Sequence, residues 1–291
     1  MRVVFFTAGS HGAGHLVRAA ALLRALARSG IDNVTIDVVA PSSSAFLRLV
    51  GDAGHAVEID AAALRAPATA ASSDVATTIA RLKPDLVVID VFWVPLVFVP
   101  LRCPAWLLLR SVPPAWLVGP KEARFDPARY ERIFAIEPAP GLERYEAIDP
   151  VVVAGPDDGL PRTALAQRLG VDVKQPLQVI VRGGLPSDGD VLTAAARSLN
   201  DGPWHSFDLH QLDAPFPVAP LLVHADRIVA APGYNTFWES RLLDFDDRVH
   251  WVPIKRTLDD ANWRARLPTS MRPTRNGADT LAQLLIERAR R

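Results

Sequence analysis

The sequence predicts an α/β chain of two domains that face one ligand cleft. Three observations carry this. Val3-Val4-Phe5-Phe6 runs toward Gly9-Ser10-His11-Gly12-Ala13-Gly14-His15 and then into an Ala/Leu-rich segment. Ile228-Val229-Ala230-Ala231 runs likewise into Gly233-Tyr234-Asn235-Thr236-Phe237-Trp238-Glu239. Each is a strand, a glycine turn and a helix start, and a helix N-terminus offers unpaired N–H groups and a positive dipole end to a phosphate or an oxyanion. Third, strand-like and helix-like segments alternate, halt at the turn-rich Gly155-Pro156-Asp157-Asp158-Gly159-Leu160-Pro161, and start again. That rhythm favours parallel sheets and sets the domains at 1–155 and 156–291.

In order, Val3–Thr7 reads as a fully buried strand. Leu16, Ala19, Ala20, Leu23 and Leu26 recur at helical spacing, with Arg18, Arg24 and Arg28 on other faces and Gly30 placed to end the helix. Val34–Val39 is a second strand, Ala56–Ile59 a short third, and Ser72/Ser73 to Leu82 a helix. Leu86–Asp90 is a strand ending in a carboxylate, where α/β sites usually lie. Ala105–Leu109, followed by Arg110, and then Ile133–Ile136 and Val151–Val153 complete the first half. In the second half Leu177–Arg182 is a strand, Gly183-Gly184 a turn and Asp190–Leu199 a helix. His205–Leu209, Arg227–Ala231 and Val249–Val252 read as strands. Val218–Ala225, Leu258–Arg266 and Ala278–Arg290 read as helices.

Composition narrows the function. The chain has 291 residues, 49% of them hydrophobic, which is ample for buried parallel sheets. Net charge is zero and neither half departs from balance, so no basic face suited to nucleic acid is implied. Cys103 is alone, which excludes an internal disulfide. No charged-then-apolar leader precedes the first strand. The longest apolar run, Val91 to Leu101, is too short to span a membrane and holds Pro95 and Pro100. A cytoplasmic protein is expected, with membrane contact at most peripheral. Phe92-Trp93-Val94-Pro95, with Trp106 and Trp116, offers a surface for a hydrophobic acceptor, or else core.

The first motif lacks the glycine spacing of the dinucleotide fingerprint, which argues against a nicotinamide or flavin cofactor. Its glycines let backbone approach a ligand. His15, at the helix start, is a candidate general base, since the dipole there disfavours the imidazolium. The plainer alternative is that His15 packs against the next loop. In the second motif Gly233 allows the turn, Asn235 is placed to cap the helix, and Thr236 with Glu239 matches a capping box. The functional alternative gives the helix start a pyrophosphate and gives Glu239 the hydroxyls of a ribose, since a carboxylate is a natural bidentate acceptor for a cis-diol.

Gly12-Ala13-Gly14-His15, with Arg18 and its Ala/Leu helix, resembles the N-terminal motif of GT-B glycosyltransferases. The resemblance is to the group that includes the lipid-linked N-acetylglucosaminyltransferase of peptidoglycan synthesis and related predicted bacterial glycosyltransferases. Ala225 to Glu239 is similar to that group's donor-site signature, and Lys83–Asp90 and Val151–Pro156 fit its first domain's later strands. The resemblance implies two Rossmann-like domains facing a cleft, an N-terminal acceptor domain and a C-terminal donor domain.

It also implies a nucleotide-diphosphate-sugar, a UDP-sugar above all, bordered by Gly14, Gly183, Gly184, Gly233, Asn235 and Thr236, with Glu239 on the ribose. His15 or Asp90 would be the base for an inverting hexosyl transfer to an acceptor hydroxyl. No metal and no resident cofactor is expected. One departure stands out: in Asp259-Asp260-Ala261-Asn262, Ala261 replaces a Gln that contacts the donor sugar. Either Asn262 substitutes, or sugar recognition differs, or it is lost; Asp260 and Asn262 stand among the candidate donor-binding residues. The rival functions are a nucleotide-sugar hydrolase on the same fold and a non-catalytic nucleotide-sugar-binding subunit.

Overall fold

The computed structural model describes every residue except 8–12, 43–45, 52–53, 65–72, 120–122, 200–201, 212, 255–261 and the side chain of Asn262. Contacts divide the chain into two compact units. The first holds the N-terminal strand, His15–Val151 and Gly277–Arg291, and the second holds Val152–Asn276 together with Ala13 and Gly14. The second unit ends before the chain does, and the last helix, within Gly277–Arg291, belongs to the first.

In the first unit the strands are β1 (Arg2–Phe6), β2 (Thr35–Pro41), β3 (His55–Ile59), β4 (Leu86–Asp90), β5 (Ala105–Leu109), β6 (Arg132–Ala135) and β7 (Glu146–Ala147). They form one parallel sheet in the order β3-β2-β1-β4-β5-β6-β7. After the exposed Arg2, β1 is apolar and buried, and β4 is apolar until Asp90 and buried throughout, as a parallel sheet covered on both faces requires. The helices are α1 (Gly14–Ser29), α2 (Asp74–Leu82), α3 (Pro114–Val118) and, at the chain end, α9 (Gly277–Ala289). α1 stops at Gly30, whose φ of 64° suits glycine. α2 starts at Ser73, whose side chain accepts from the Ala76 N–H at 3.1 Å.

The second unit contains α4 (Arg162–Leu169), β8 (Gln178–Arg182), α5 (Asp188–Leu199), β9 (His205–Asp208) and α6 (Ala219–Leu222). It continues with β10 (Arg227–Ala230), α7 (Tyr234–Leu242), β11 (Val249–Trp251) and α8 (Asn262–Ala265). The four strands are parallel, in the order β11-β10-β8-β9. Alternation along β8 and β10 feeds two layers. Val179, Val181, Ile228 and Ala230 pack with Leu165, Leu177, Leu222 and Phe245 on one face, while Ile180 and Val229 pack with Leu192 and Ala196 of α5 on the other.

Three local readings change. Val151–Val153 is buried but joins no sheet, because side chains take its backbone groups in place of a ladder. Asn276 Oδ1 accepts from Val152 N–H at 3.3 Å, and Asn276 Nδ2 donates to the carbonyls of Val152 and Ala154 at 2.6 and 3.1 Å. Glu239 takes the N–H groups of Val153 and Ala154. The helix expected at 258–266 is described only as α8, its first residues lying outside the described set. α3, α4 and β7 have no counterpart in the sequence reading; each is short or weakly amphipathic.

Candidate active site

In each sheet one strand sends its chain to both sides, and the crevice beyond the strand ends at such a reversal is where open α/β sheets bind ligands. In the first sheet β1 lies between β2 and β4. β1 leads toward the first motif and α1, and β4 ends in Asp90. In the second sheet β8 lies between β9 and β10. β8 ends at Arg182-Gly183-Gly184, and β10 leads to Gly233. The two motifs singled out in the sequence therefore open the two reversal points.

Gly14 opens α1, and His15 and Arg18, one turn apart, share a face of it. Arg18 is not on a polar face as its spacing suggested; it is 1% exposed, while Arg24 is exposed. The reason is Asp90, 0% exposed, which Arg18 grips with two parallel bonds: Nε to Oδ1 at 2.7 Å and Nη2 to Oδ2 at 2.9 Å. The same Oδ2 lies 2.6 Å from His15 Nδ1, and Arg18 Nη2 lies 2.8 Å from that nitrogen. An ionised carboxylate oxygen only accepts, so at that distance Nδ1 carries a proton, and a neutral ring then keeps its lone pair on Nε2; Arg18 Nη2, itself a donor, lies beside that N–H without bonding to it.

Burial, then the charges of Arg18 and Arg110, hold His15 below the usual imidazole value against the opposing pull of Asp90. Burial alone would raise Asp90, but Arg18 and His15 outweigh it and bring the carboxyl down to about 2. Asp90 is thus an ionised, buried partner of His15, with no exposed surface of its own from which to act.

The backbone beside this pair is strained. Val91, directly after Asp90, has φ 64°, a region that a β-branched residue rarely enters and that costs roughly 1–3 kcal/mol. The turn is pinned by Val91 N–H to Leu108 O at 3.0 Å and Trp93 N–H to Val91 O at 2.9 Å. It sets the Phe92 ring 4.8 Å from the His15 ring and 5.4 Å, edge-on, from Trp116. Of the aromatics offered as an acceptor surface, Trp93 and Trp106 are core; Phe92 and Trp116 remain half-buried beside His15.

In the second unit Gly183 and Gly184 are half-buried at the end of β8. The Arg182 guanidinium occupies the space that a side chain on Gly189 would take, against the first turn of α5. Its ion pair with Asp208 is loose, at 3.6 Å. His210 Nε2 donates to Gly184 O at 2.8 Å, and the Leu185 N–H reaches Asp188 Oδ2 at 2.8 Å, so the turn is held from both sides.

At the other strand end the N-cap of α7 is Gly233, with no side-chain cap. Asn235 is not the cap, and Thr236 and Glu239 form no capping box, because the helix begins at Tyr234 and Glu239 lies well inside it. Gly233 has ordinary extended angles, and a Cβ there would meet nothing within 4 Å. Neither backbone nor packing calls for glycine at this point. Asn235 and Thr236 are half-buried in the first turn, and Asn235 Oδ1 is buried with no hydrogen-bond partner among the described residues.

Glu239 is 6% exposed, and its Oε1 accepts from Val153 N–H at 3.2 Å and Ala154 N–H at 3.4 Å. Burial raises its pKa to about 7 in spite of those two bonds. Asp260 and the side chain of Asn262 lie outside the described residues, as do Gly9, Gly12 and Ala261. Three residues escaped the sequence reading: Arg18 as a partner of Asp90, Arg182 and His210. Arg18 was within reach, since i,i+3 spacing puts it on the face of His15.

Among the described residues no cluster of three or more His, Cys, Asp or Glu side chains is arranged to hold a metal ion. None of the described helices is long and apolar enough to cross a membrane. No family model and no curated protein matches the sequence. Solved structures do. The glycosyltransferase SnogD from Streptomyces nogalater is 18% identical with a TM-score of 0.54, over 99% of each chain. The spinosyn rhamnosyltransferase SpnG is 15% identical with a TM-score of 0.54, over 99% of this chain and 93% of its own. UGT2 of Phytolacca americana, solved with UDP-2fluoro-glucose and pterostilbene, is 14% identical with a TM-score of 0.54, over 98% of this chain and 90% of its own. With its two parallel sheets and their reversals, the chain has the α/β fold of the GT-B glycosyltransferases.

Proposed function

We propose that the protein transfers a hexosyl group from a nucleotide-diphosphate-sugar, a UDP-sugar in the first instance, to an acceptor hydroxyl with inversion at the anomeric carbon. The observation that carries this reading is the buried His15–Asp90 pair at the reversal point of the first sheet. Nε2 of His15 takes the acceptor hydroxyl proton, the acceptor oxygen bonds to the anomeric carbon, and the bond from that carbon to the diphosphate breaks. Asp90 steadies the imidazolium that forms. Phe92 and Trp116 give the acceptor an apolar wall.

The second unit holds the donor. N–H groups at the starts of α5 and α7, the Gly183-Gly184 turn and Arg182 meet the leaving diphosphate, so its charge is offset without a metal. Gly233 leaves room for a phosphate to approach backbone, with Asn235 and Thr236 beside it. Glu239 faces the ribose through a carboxyl that exchanges its backbone bonds for the diol.

The test is product formation. Purified protein is screened by thermal shift against UDP-, GDP- and dTDP-sugars, and the stabilising donor is then incubated with and without a panel of aromatic and aliphatic alcohols. A glycosylated acceptor supports transfer. Free sugar released without an acceptor means hydrolysis, and binding without turnover means a binding subunit; either result overturns the proposal.

A further inference from the structure

A carboxylate with no exposed surface cannot stay ionised on a neutral imidazole alone. If Asp90 and His15 were the whole pair, burial would settle it in one of two ways. His15 would keep both ring protons and form an ion pair, or Asp90 would take a proton and donate it to Nδ1, which puts the ring proton on Nε2. In both states Nε2 carries hydrogen and cannot accept another. The third member changes this outcome. Arg18 is 1% exposed and lies on the face of α1 that carries His15, and its fork meets both oxygens of Asp90 at 2.7 and 2.9 Å.

We propose that Arg18 is a positioning residue that keeps His15 a base: it supplies the permanent positive charge that Asp90 needs, and it turns one carboxylate oxygen onto Nδ1 so that Nε2 stays free of hydrogen. The proposal rests on the reading of His15 as proton acceptor, and its geometry is independent of any substrate. The charged groups that face His15 among the described residues are Asp90 from β4, Arg18 from its own helix and Arg110 from the end of β5. Two of the three are cations, which agrees with a ring held neutral. The backbone just after Asp90 is pinned as well, by the Val91 N–H to Leu108 O at 3.0 Å.

The test uses nitrogen-15 NMR of the histidine rings in the whole protein, with His15 assigned by its loss in His15→Gln. In the wild type at pH 7, Nδ1 should carry a proton and Nε2 none. In Arg18→Gln the ring should be doubly protonated at pH 7, or carry its proton on Nε2, and its titration should move up by about one unit or more. Arg18→Lys, which keeps the charge, should restore a proton-free Nε2.

In turnover, Arg18→Gln should lose activity at neutral pH and regain it as pH rises, with KM for donor little changed; a residue needed only for packing would depress kcat at all pH values. A wild-type ring with its proton on Nε2 overturns the proposal even if Arg18→Gln fails to fold. So does a folded Arg18→Gln whose His15 titrates as in the wild type. Because the NMR arm needs no substrate, a protein that proves not to transfer sugar would refute the function and leave this result readable.

Discussion

Glu239 gives the sharpest stability prediction. Its carboxyl is buried, accepts two backbone N–H groups, and titrates near 7 against an ordinary 4.5. The folded protein therefore binds this proton more tightly than the unfolded chain. The stabilisation is fully present below the unfolded value near 4.5 and is lost as pH rises through about 7. A gap of that size corresponds to about 3 kcal/mol of stability given up between acid and alkaline solution.

Glu239→Gln keeps an oxygen for the Val153 and Ala154 N–H groups and has nothing to titrate. Urea unfolding of both proteins from pH 5 to 8 should show the wild type losing ground by about 2–3 kcal/mol relative to the variant, most of the full gap. Parallel curves would refute the reasoning. The same series separates the two roles of this residue. A carboxylate that receives a ribose must be ionised, so nucleotide affinity of the wild type should rise toward pH 8 and that of Glu239→Gln should stay flat and weaker by about 1–3 kcal/mol. A stability slope with pH-independent nucleotide binding would leave Glu239 as a brace for Val152–Ala154 only.

Four further outcomes are expected. His15→Ala should lower turnover at least ~10²-fold with nucleoside diphosphate affinity nearly intact, measured by steady-state kinetics beside calorimetry; because the ring is held below 6.5, wild-type activity should persist into mildly acidic buffer and fall off as pH drops through the ring's depressed value. Gly233→Ala should leave thermal stability within about 1 kcal/mol, since its Cβ meets open space, yet weaken nucleotide binding; equal affinity would remove the phosphate from that turn. Gly277→Ala should cost about 1–3 kcal/mol or more by urea unfolding, because its Cβ overlaps the Asp149 carbonyl oxygen where Gly277 N–H also bonds Pro150 O at 2.9 Å. With Ala261 in place of a sugar-binding Gln, a bare nucleoside diphosphate should bind within about tenfold, or 1.4 kcal/mol, of its sugar conjugates; a conjugate binding a hundredfold tighter in calorimetry would show that other residues read the sugar.

The sequence by itself determined the two parallel sheets and the glycine turns beyond their strands, while the strand order that makes reversal points of them came from the structure. Buried strands of a parallel sheet are continuous apolar runs, and the glycine-rich segments at 9–14, 183–184 and 233 lie a few residues or less beyond such runs, so local composition was enough to find β1, β4, β8 and β10. It also marked His15 and Asp90, one as a helix-start residue and the other as a strand-end carboxylate, without joining them. Tertiary structure alone decided the rest. Arg18 reads as one more arginine on a helix and becomes a buried ion-pair partner only because β4 delivers Asp90 to it, 72 residues later in the chain. Val151–Val153 has the composition of a strand, yet Asn276 and Glu239, both distant in sequence, take its hydrogen bonds. α9 follows the second unit in sequence and packs in the first. Local pattern reports which groups a segment must bury or satisfy; which partner does so depends on long-range closure of the chain, and a buried charge or backbone group accepts any partner that the fold brings within reach.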